Sequence, residues 1–226
     1  PGGPDEGRVT RRARLATLAL LLGGAVVTGL PGGASAAPKG AVRPPALAGT
    51  WYPSSPAILL ATAWNLARQA SAAPRPARRP VALVVPHAGW AFSGAVAASA
   101  FRLLGPGSFS RVVVVAPSHY GAFEGYALDD AAAYRTPLGE VPLDREAFDL
   151  LRASGLSRVV AGVTGPEHAV EIELPFLQAT LGSFRLVPVL VGRVGAEEQE
   201  AFAARLARLD DGRTLFVFSS DFTHYG

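Results

Sequence analysis

The chain carries the apolar run Val112-Val113-Val114-Val115-Ala116, which ends three residues before His119. A short, wholly apolar run rich in β-branched residues is typical of a strand buried on both faces, as in a parallel sheet. Val81-Ala82-Leu83-Val84-Val85 has the same character, and so has the run from Thr214 to Phe218. A fourth strand is predicted from Phe184 to Val191. These four segments predict the centre of one buried sheet.

Helical patterns lie between these strands. Apolar residues at helical spacing, bounded by Gly and Pro, predict helices over 57–70, 94–104, 144–153, 167–181 and 197–209. Asp144 is expected to cap the third helix, and Pro175 to kink the fourth. Residues 120–143 are predicted to be irregular, with a short strand near Tyr134. Strands that alternate with helices predict an α/β fold, with a mainly parallel central sheet and helices on both faces.

The N-terminus has the pattern of a secretory signal peptide. Arg11-Arg12-Ala13-Arg14 precedes an apolar run over 15–30, and small residues follow up to Ala36. This order predicts a signal peptide over 1–36, cleaved near Ala36, and therefore a periplasmic or extracellular location. Left uncleaved, the same segment would be the membrane attachment of the chain.

Composition fits one globular domain after a linker. Residues 37–47 are rich in Pro, Gly and Ala and predict the linker, which leaves 48–226 as the α/β domain. Of the 226 residues 49% are hydrophobic, which is ample for a core. The net charge is +3, and no basic stripe is interleaved with aromatic residues, so nucleic-acid binding is not predicted. The chain has no cysteine, which excludes disulfides.

Three histidines closely follow predicted strands. His87, His119 and His224 lie two, three and six residues beyond three strand ends. In open α/β sheets ligands bind beyond the carboxyl ends of the strands, so these side chains are expected to meet at one edge. Neutral imidazole is the commonest metal ligand in proteins, which predicts a metal site there. Two histidines with a carboxylate would suit iron, and three ligands with an open position would suit zinc.

His168 and Asp221 have alternatives that the sequence leaves open. His168 follows Gly165-Pro166 and Glu167 at the start of a predicted helix. It either caps that helix or projects into the pocket as a general acid or base. Glu167 and Glu171 would complement the helix macrodipole. Asp221 could bind the metal, hold a ligating histidine by a hydrogen bond, or form an Asx turn.

Seven motifs occur in order along residues 44–226. They are Ala48-Gly49-Thr50-Trp51-Tyr52-Pro53, Pro86-His87-Ala88-Gly89-Trp90, Pro117-Ser118-His119, Tyr134-Arg135-Thr136-Pro137-Leu138-Gly139, Glu167-His168 with Leu174-Pro175-Phe176, Val187-Pro188-Val189-Leu190-Val191-Gly192, and Ser219-Ser220-Asp221-Phe222-Thr223-His224-Tyr225-Gly226. On these motifs the chain is identified as a member of the Memo family, whose bacterial members are called AmmeMemoRadiSam system protein B.

This resemblance implies an α/β sandwich similar to the class III extradiol ring-cleaving dioxygenases, which use non-haem iron. In the animal relatives two histidines and a cysteine line the pocket, and copper or iron binding is attributed to them. The histidines match His87 and His119, whereas Thr223 stands at the cysteine position. His168 matches a pocket histidine that could act as acid or base. Family members continue beyond Gly226, which implies a chain truncated at its C-terminus.

Thr223 changes the expected metal and leaves the function open. A hydroxyl is a poor ligand beside a thiolate, so affinity for Cu(I) should fall. His224 or Asp221 would then complete a harder set for iron or zinc, or the site binds no metal. The leading hypothesis is a histidine-lined metal site, with copper also considered, in a non-haem-metal oxidoreductase. The alternatives are a non-enzymatic module that binds a peptide or small molecule and a metal-dependent hydrolase. Whether the chain is an enzyme, and its oligomeric state, stay open.

Overall fold

The computed structural model describes residues 40–70 and 76–222. The predicted signal peptide, Thr223 and His224 lie outside these residues. Within these ranges no helix combines the length and the hydropathy needed to cross a bilayer. The strands are β1 Val42–Arg43, β2 Ala82–Val85, β3 Arg111–Pro117, β4 Tyr126–Leu128, β5 Ala133–Thr136, β6 Gly139–Pro142, β7 Ser157–Val159, β8 Arg185–Val191 and β9 Thr214–Ser219. The helices are α1 Pro56–Gln69, α2 Trp90–Phe101, α3 Arg145–Arg152, α4 His168–Glu171, α5 Leu174–Leu181 and α6 Ala196–Leu206, which a 3₁₀ turn at Ala207–Leu209 extends.

Within the described ranges, the main sheet has six strands in the order β2-β9-β3-β8-β4-β7. The first four are parallel to one another, β4 runs antiparallel to β8, and β7 is parallel to β4. The four apolar runs form the four parallel strands, so the predicted mainly parallel sheet is confirmed. Val85 pairs with Ser219 and Val115 with Phe218, which places the carboxyl ends of β2, β9 and β3 side by side.

Both faces of the sheet are covered by helices, as predicted. Val112 and Val114 of β3 belong to a core with α1, α2 and α5, whereas Val113 and Val115 belong to a second core with α3 and α6. All four valines are at most 3% exposed. Because neither face meets water, the strand needs apolar residues at every position.

Residues 120–143 are more regular than predicted. They contain β4, which joins the main sheet, and the β5–β6 hairpin, which turns at Gly139 with φ +119°. The prediction found only the strand at Tyr134. It missed β4 and β6, and likewise β7 further along the chain, because strands of three or four residues are too short to show a period.

The described part of the predicted linker packs on the domain. β1 pairs with β5, and Arg43 is only 1% exposed. Its guanidinium donates to Glu171 Oε2 at 2.9 Å and to the Thr164 and Glu167 carbonyls at 3.0 and 2.6 Å. This buried ion pair and the β1–β5 pairing hold a segment whose Pro, Gly and Ala composition predicts no structure.

The predicted helix over 167–181 is two helices. α4 ends at Glu171 and α5 begins at Leu174, with Pro175 in the first turn of α5. Proline is tolerated there because the first helical N–H groups have no intrahelical partner. It therefore starts a helix where a kink was expected. Asp144 caps α3 as predicted, with its side chain accepting from the Ala147 N–H at 3.1 Å.

Candidate metal centre

Three histidines meet beyond the carboxyl ends of the parallel strands. His87 follows β2, His119 follows β3, and His168 is the first residue of α4. One ring nitrogen from each lies within 4.8 Å of the others. The ring centroids are 5.2 Å apart for His87 and His119, 5.8 Å for His87 and His168, and 4.5 Å for His119 and His168. The neighbouring strand ends bring the first two together, and α4 brings the third.

His87 is buried and held by the end of β9. Its Nδ1 lies 2.9 Å from Ser219 Oγ, and its backbone N–H donates to Asp221 Oδ1 at 2.7 Å. Its Nε2 lies 3.8 Å from Asp221 Oδ2. Asp221 therefore anchors the His87 backbone and also brings a carboxylate oxygen to the edge of the cluster.

His119 is oriented by Glu167, which is 1% exposed. The backbone N–H of His119 donates to Oε2 at 2.7 Å, and its Nδ1 lies 2.9 Å from Oε1. A carboxylate can only accept, so Nδ1 carries the hydrogen, and in the neutral ring Nε2 keeps the lone pair. Burial acts to raise the pKa of Glu167, but hydrogen bonds and charge attraction from His119 outweigh it, so that pKa is lowered. Glu167 also caps α4 by accepting from the Ala169 N–H at 2.9 Å.

His168 is the least satisfied member of the cluster. It is 6% exposed, and its Nδ1 is buried without a hydrogen-bond partner, 3.6 Å from Glu167 Oε1. Burial lowers the pKa of His168 to about 4, and the attraction of Glu167 opposes this only in part. The imidazole is therefore neutral at pH 7. A neutral buried ring nitrogen without a partner is what a metal ligand offers before the ion binds.

Two exposed aromatic side chains border the histidines. Trp51 is 38% exposed, with its ring centroid 4.6 Å from that of His168, and Tyr120 is 45% exposed at 5.9 Å. The segment that carries Trp51 is held by Glu171, which accepts from the Ala46 and Leu47 N–H groups and the Tyr52 hydroxyl. These aromatics give the cluster an apolar border on its open side.

The predicted site residues divide into three groups. His87 and His119, predicted as ligands, and His168, predicted as acid or base, come together. Asp221 lies next to His87. This position agrees with two of its three predicted roles, as a metal ligand or as a hydrogen-bond partner of a ligating histidine. The predicted ligand His224 and the cysteine-position residue Thr223 lie outside the described residues.

Sequence reasoning missed three residues that hold the histidines. Glu167 was expected to complement a helix dipole, but it orients His119. Ser219 and Glu173, which stand behind His87, were not predicted as part of the site. Ser219 lies within a polar motif at a strand end, and this was the one available sign. Glu173 has no local pattern that marks it.

A family model described as "Memo-like protein" matches residues 43–226. The chain belongs to the Memo family. Protein MEMO1 of Xenopus tropicalis is 35% identical over 185 residues, and Protein MEMO1 of Homo sapiens is 33% identical over the same length. Each alignment covers 79% of this chain and 61% of the relative. The Protein memo-1 homolog of Caenorhabditis elegans is 38% identical over 149 residues, which are 64% of this chain and 43% of that protein.

The family predicted from the ordered motifs is thus confirmed. The chain spans about three fifths of the length of the MEMO1 proteins. The layered sheet is consistent with the dioxygenase-like fold that Memo membership implies. The histidine cluster lies within the matched residues, so this Memo-family segment contains a group able to hold a metal ion.

Proposed function

We propose that this protein binds a divalent transition metal ion through His87, His119 and His168. The observation that carries the proposal is the approach of three imidazole nitrogens to within 4.8 Å of one another. Three nitrogens bound at about 2.1 Å to one trigonal or tetrahedral ion lie about 3.4–3.6 Å apart, so a contraction of at most about 1.4 Å suffices. Side-chain rotation alone can supply a movement of that size.

The donors fit such an ion. His119 presents a lone pair at Nε2 because Glu167 takes the hydrogen at Nδ1, and His168 is neutral with Nδ1 unpartnered. Asp221 Oδ2 stands 3.8 Å from His87 Nε2 and offers an oxygen donor. Imidazole with carboxylate favours Fe(II) or Zn(II) over Cu(I), which prefers thiolate. We therefore propose iron first and zinc second.

The function that this site favours is that of a non-haem-metal oxidoreductase. A bound ion would supply redox chemistry if it is iron, and Lewis-acid chemistry with either metal. If His87 and His119 bind the ion without His168, its Nδ1, which has no hydrogen-bond partner, could instead hold or release a proton. Glu167 keeps His119 in one tautomer, and Trp51 and Tyr120 would exclude water and orient a flat substrate.

A second candidate is a binding module without catalysis. The exposed rings of Trp51 and Tyr120 beside His168 favour it, because aromatic faces bind planar or apolar groups. The ligand would be a small molecule or a peptide side chain. A zinc-loaded site would instead favour metal-dependent hydrolysis, so the metal identity separates the enzymatic alternatives.

The test is metal analysis of the purified full chain before and after anaerobic reconstitution with Fe(II) or Zn(II). The variants are His87→Ala with His119→Ala, His168→Ala, and His224→Ala. The chain has four histidines, so this set covers every imidazole. We expect about one equivalent of metal per chain in the wild type and none in the double variant.

Each variant has a distinct meaning. Loss of metal in His168→Ala supports His168 as the third ligand. Retention of metal with loss of turnover supports a proton-transfer role for His168 instead. Retention of metal in His224→Ala agrees with the proposal, and loss would replace His168 by His224 in the ligand set. A wild-type chain that takes up no metal, yet binds a ligand saturably at Trp51, overturns the proposal in favour of the binding module.

A further inference from the structure

The hydroxyl of Ser219 has three polar neighbours at hydrogen-bond distance. Its Oγ lies 2.8 Å from the Ala169 carbonyl oxygen, 2.9 Å from Glu173 Oε1 and 2.9 Å from His87 Nδ1. Ser219 is 0% exposed and Glu173 is 1% exposed. The protons of this cluster can therefore be assigned by counting.

A serine hydroxyl has one hydrogen to donate and two lone pairs to accept with. The Ala169 carbonyl can only accept, so it takes the Ser219 hydrogen. The other two contacts then need hydrogens from the partners. Glu173 must supply one as a carboxylic acid, and His87 must supply the other from Nδ1–H. In any other assignment, at least one of these contacts would have no hydrogen between its two atoms, and their lone pairs would repel each other at 2.8 or 2.9 Å.

We propose that Glu173 is a positioning residue that is protonated at neutral pH and that, through Ser219, holds His87 in the Nδ1–H tautomer with its lone pair at Nε2. The consequence for metal binding rests on the proposed function, whereas the tautomer itself does not. The result for His87 matches that for His119. The charged carboxylate of Glu167 accepts directly from Nδ1–H of His119. The neutral acid of Glu173 instead donates to the Ser219 hydroxyl, which accepts from Nδ1–H of His87.

The surroundings of Glu173 favour the neutral acid. Burial raises the pKa of Glu173 well above its ordinary value and the charge of Asp221 adds to it, whereas a hydrogen bond donated by Ser219 to the ionised form would offset this only in part. Among the described residues no cation pairs with Glu173. Its Oε2 is buried without a partner. An unpartnered oxygen of a neutral acid costs far less than one of a buried carboxylate.

The test compares the same substitution at two buried carboxyls. Glu173→Gln keeps a neutral side chain with a donor toward Ser219, so we expect metal affinity to change less than about threefold. Glu167→Gln replaces one of the two oxygens that accept from His119 by an NH2 donor and should weaken metal binding by about 10–100-fold. Ser219→Ala removes the acceptor of His87 Nδ1–H and should weaken binding by a similar factor.

The direct readout needs no metal. In metal-free protein labelled with ¹⁵N at histidine, two-bond proton–nitrogen correlation shows which ring nitrogen carries the hydrogen. We expect Nδ1–H at His87 and His119 in the wild type and in Glu173→Gln. In Ser219→Ala, His87 should populate the other tautomer while His119 stays unchanged, and His119 thus reports that the variant is folded. Infrared spectroscopy should show a protonated carboxyl in the wild type that disappears in Glu173→Gln.

Three results would overturn the inference. These are Nε2–H at His87 in the wild type, a changed tautomer in Glu173→Gln, and an absent protonated-carboxyl band at neutral pH. If Ser219→Ala does not fold, the wild type and Glu173→Gln still decide among these results. Correct tautomers in a chain that binds no metal would refute the proposed function and leave this inference standing.

Discussion

Replacing Arg43 by methionine should lower the free energy of unfolding by about 3–5 kcal/mol. Arg43 donates to Glu171 Oε2 at 2.9 Å, to the Thr164 carbonyl at 3.0 Å and to the Glu167 carbonyl at 2.6 Å. Its guanidinium also lies 4.5 Å from the centroid of the Tyr134 ring. The methionine stem fills part of the space but leaves the buried Glu171 carboxylate without its cation and the two carbonyls without the guanidinium donors.

The magnitude follows from burial. The side chains of Arg43 and Glu171 are 1% and 0% exposed, so the remaining charge cannot be hydrated after one partner is removed. The salt bridge Arg135–Glu140 is a matched control, because it has a 2.7 Å contact but exposures of 55% and 48%. Arg135→Met should cost only about 0.2–1 kcal/mol.

Denaturant unfolding of both variants measures the difference. Hydrogen exchange at Ala46 and Leu47 should also accelerate in Arg43→Met, because their amides donate to Glu171. A loss below about 1 kcal/mol, equal to that of Arg135→Met, would refute the argument. It would mean that water reaches the pair and that residues 43–52 are not anchored on the domain.

Two further predictions follow from close packing and from buried charge. Gly192→Ala should destabilise by about 1–3 kcal/mol or more, because its Cβ would lie 2.1 Å from the Phe123 carbonyl oxygen. Gly105→Ala, with nothing within 4 Å of its Cβ, should be neutral in the same denaturation assay, and equal losses would contradict the reasoning. Because the pKa of Glu173 is raised, its contribution to stability is complete below about pH 4.5 and is lost as the pH rises toward the folded-state value. The unfolding free energy of Glu173→Gln relative to wild type should therefore grow by about 1.4 kcal/mol per pH unit between about pH 5 and pH 7, and a flat difference would show an ionised carboxyl. Because the pKa of His168 is lowered, its contribution to stability changes with pH in the opposite direction. This contribution is the same in the wild type and in Glu173→Gln, so it cancels in their difference.

The parallel core could be predicted because each of its strands has a local signature. Val112 to Ala116 is apolar at every position, and such a run has few alternatives to a doubly covered strand. The placement of His87 and His119 beyond two of these runs then predicted a shared edge, and the order β2-β9-β3 produces it. In these cases the local pattern and the tertiary arrangement agree.

The remaining features depend on contacts between distant residues. Arg43 pairs with Glu171 across 128 positions, and Ser219 meets Glu173 across 46. No window of sequence contains both partners, so neither the packed segment nor the protonated acid has a local pattern. His168 is a similar case, because its direction depends on where α4 docks against β3.

The charges around the site connect the protonation of Glu173 with the choice of metal. Among the described residues, the carboxylates that contact the histidines are Glu167 and Asp221, which together contribute two negative charges. With Glu173 protonated, one divalent ion balances these charges in a poorly hydrated site. A monovalent ion such as Cu(I) would leave one charge uncompensated, and an ionised Glu173 would leave another.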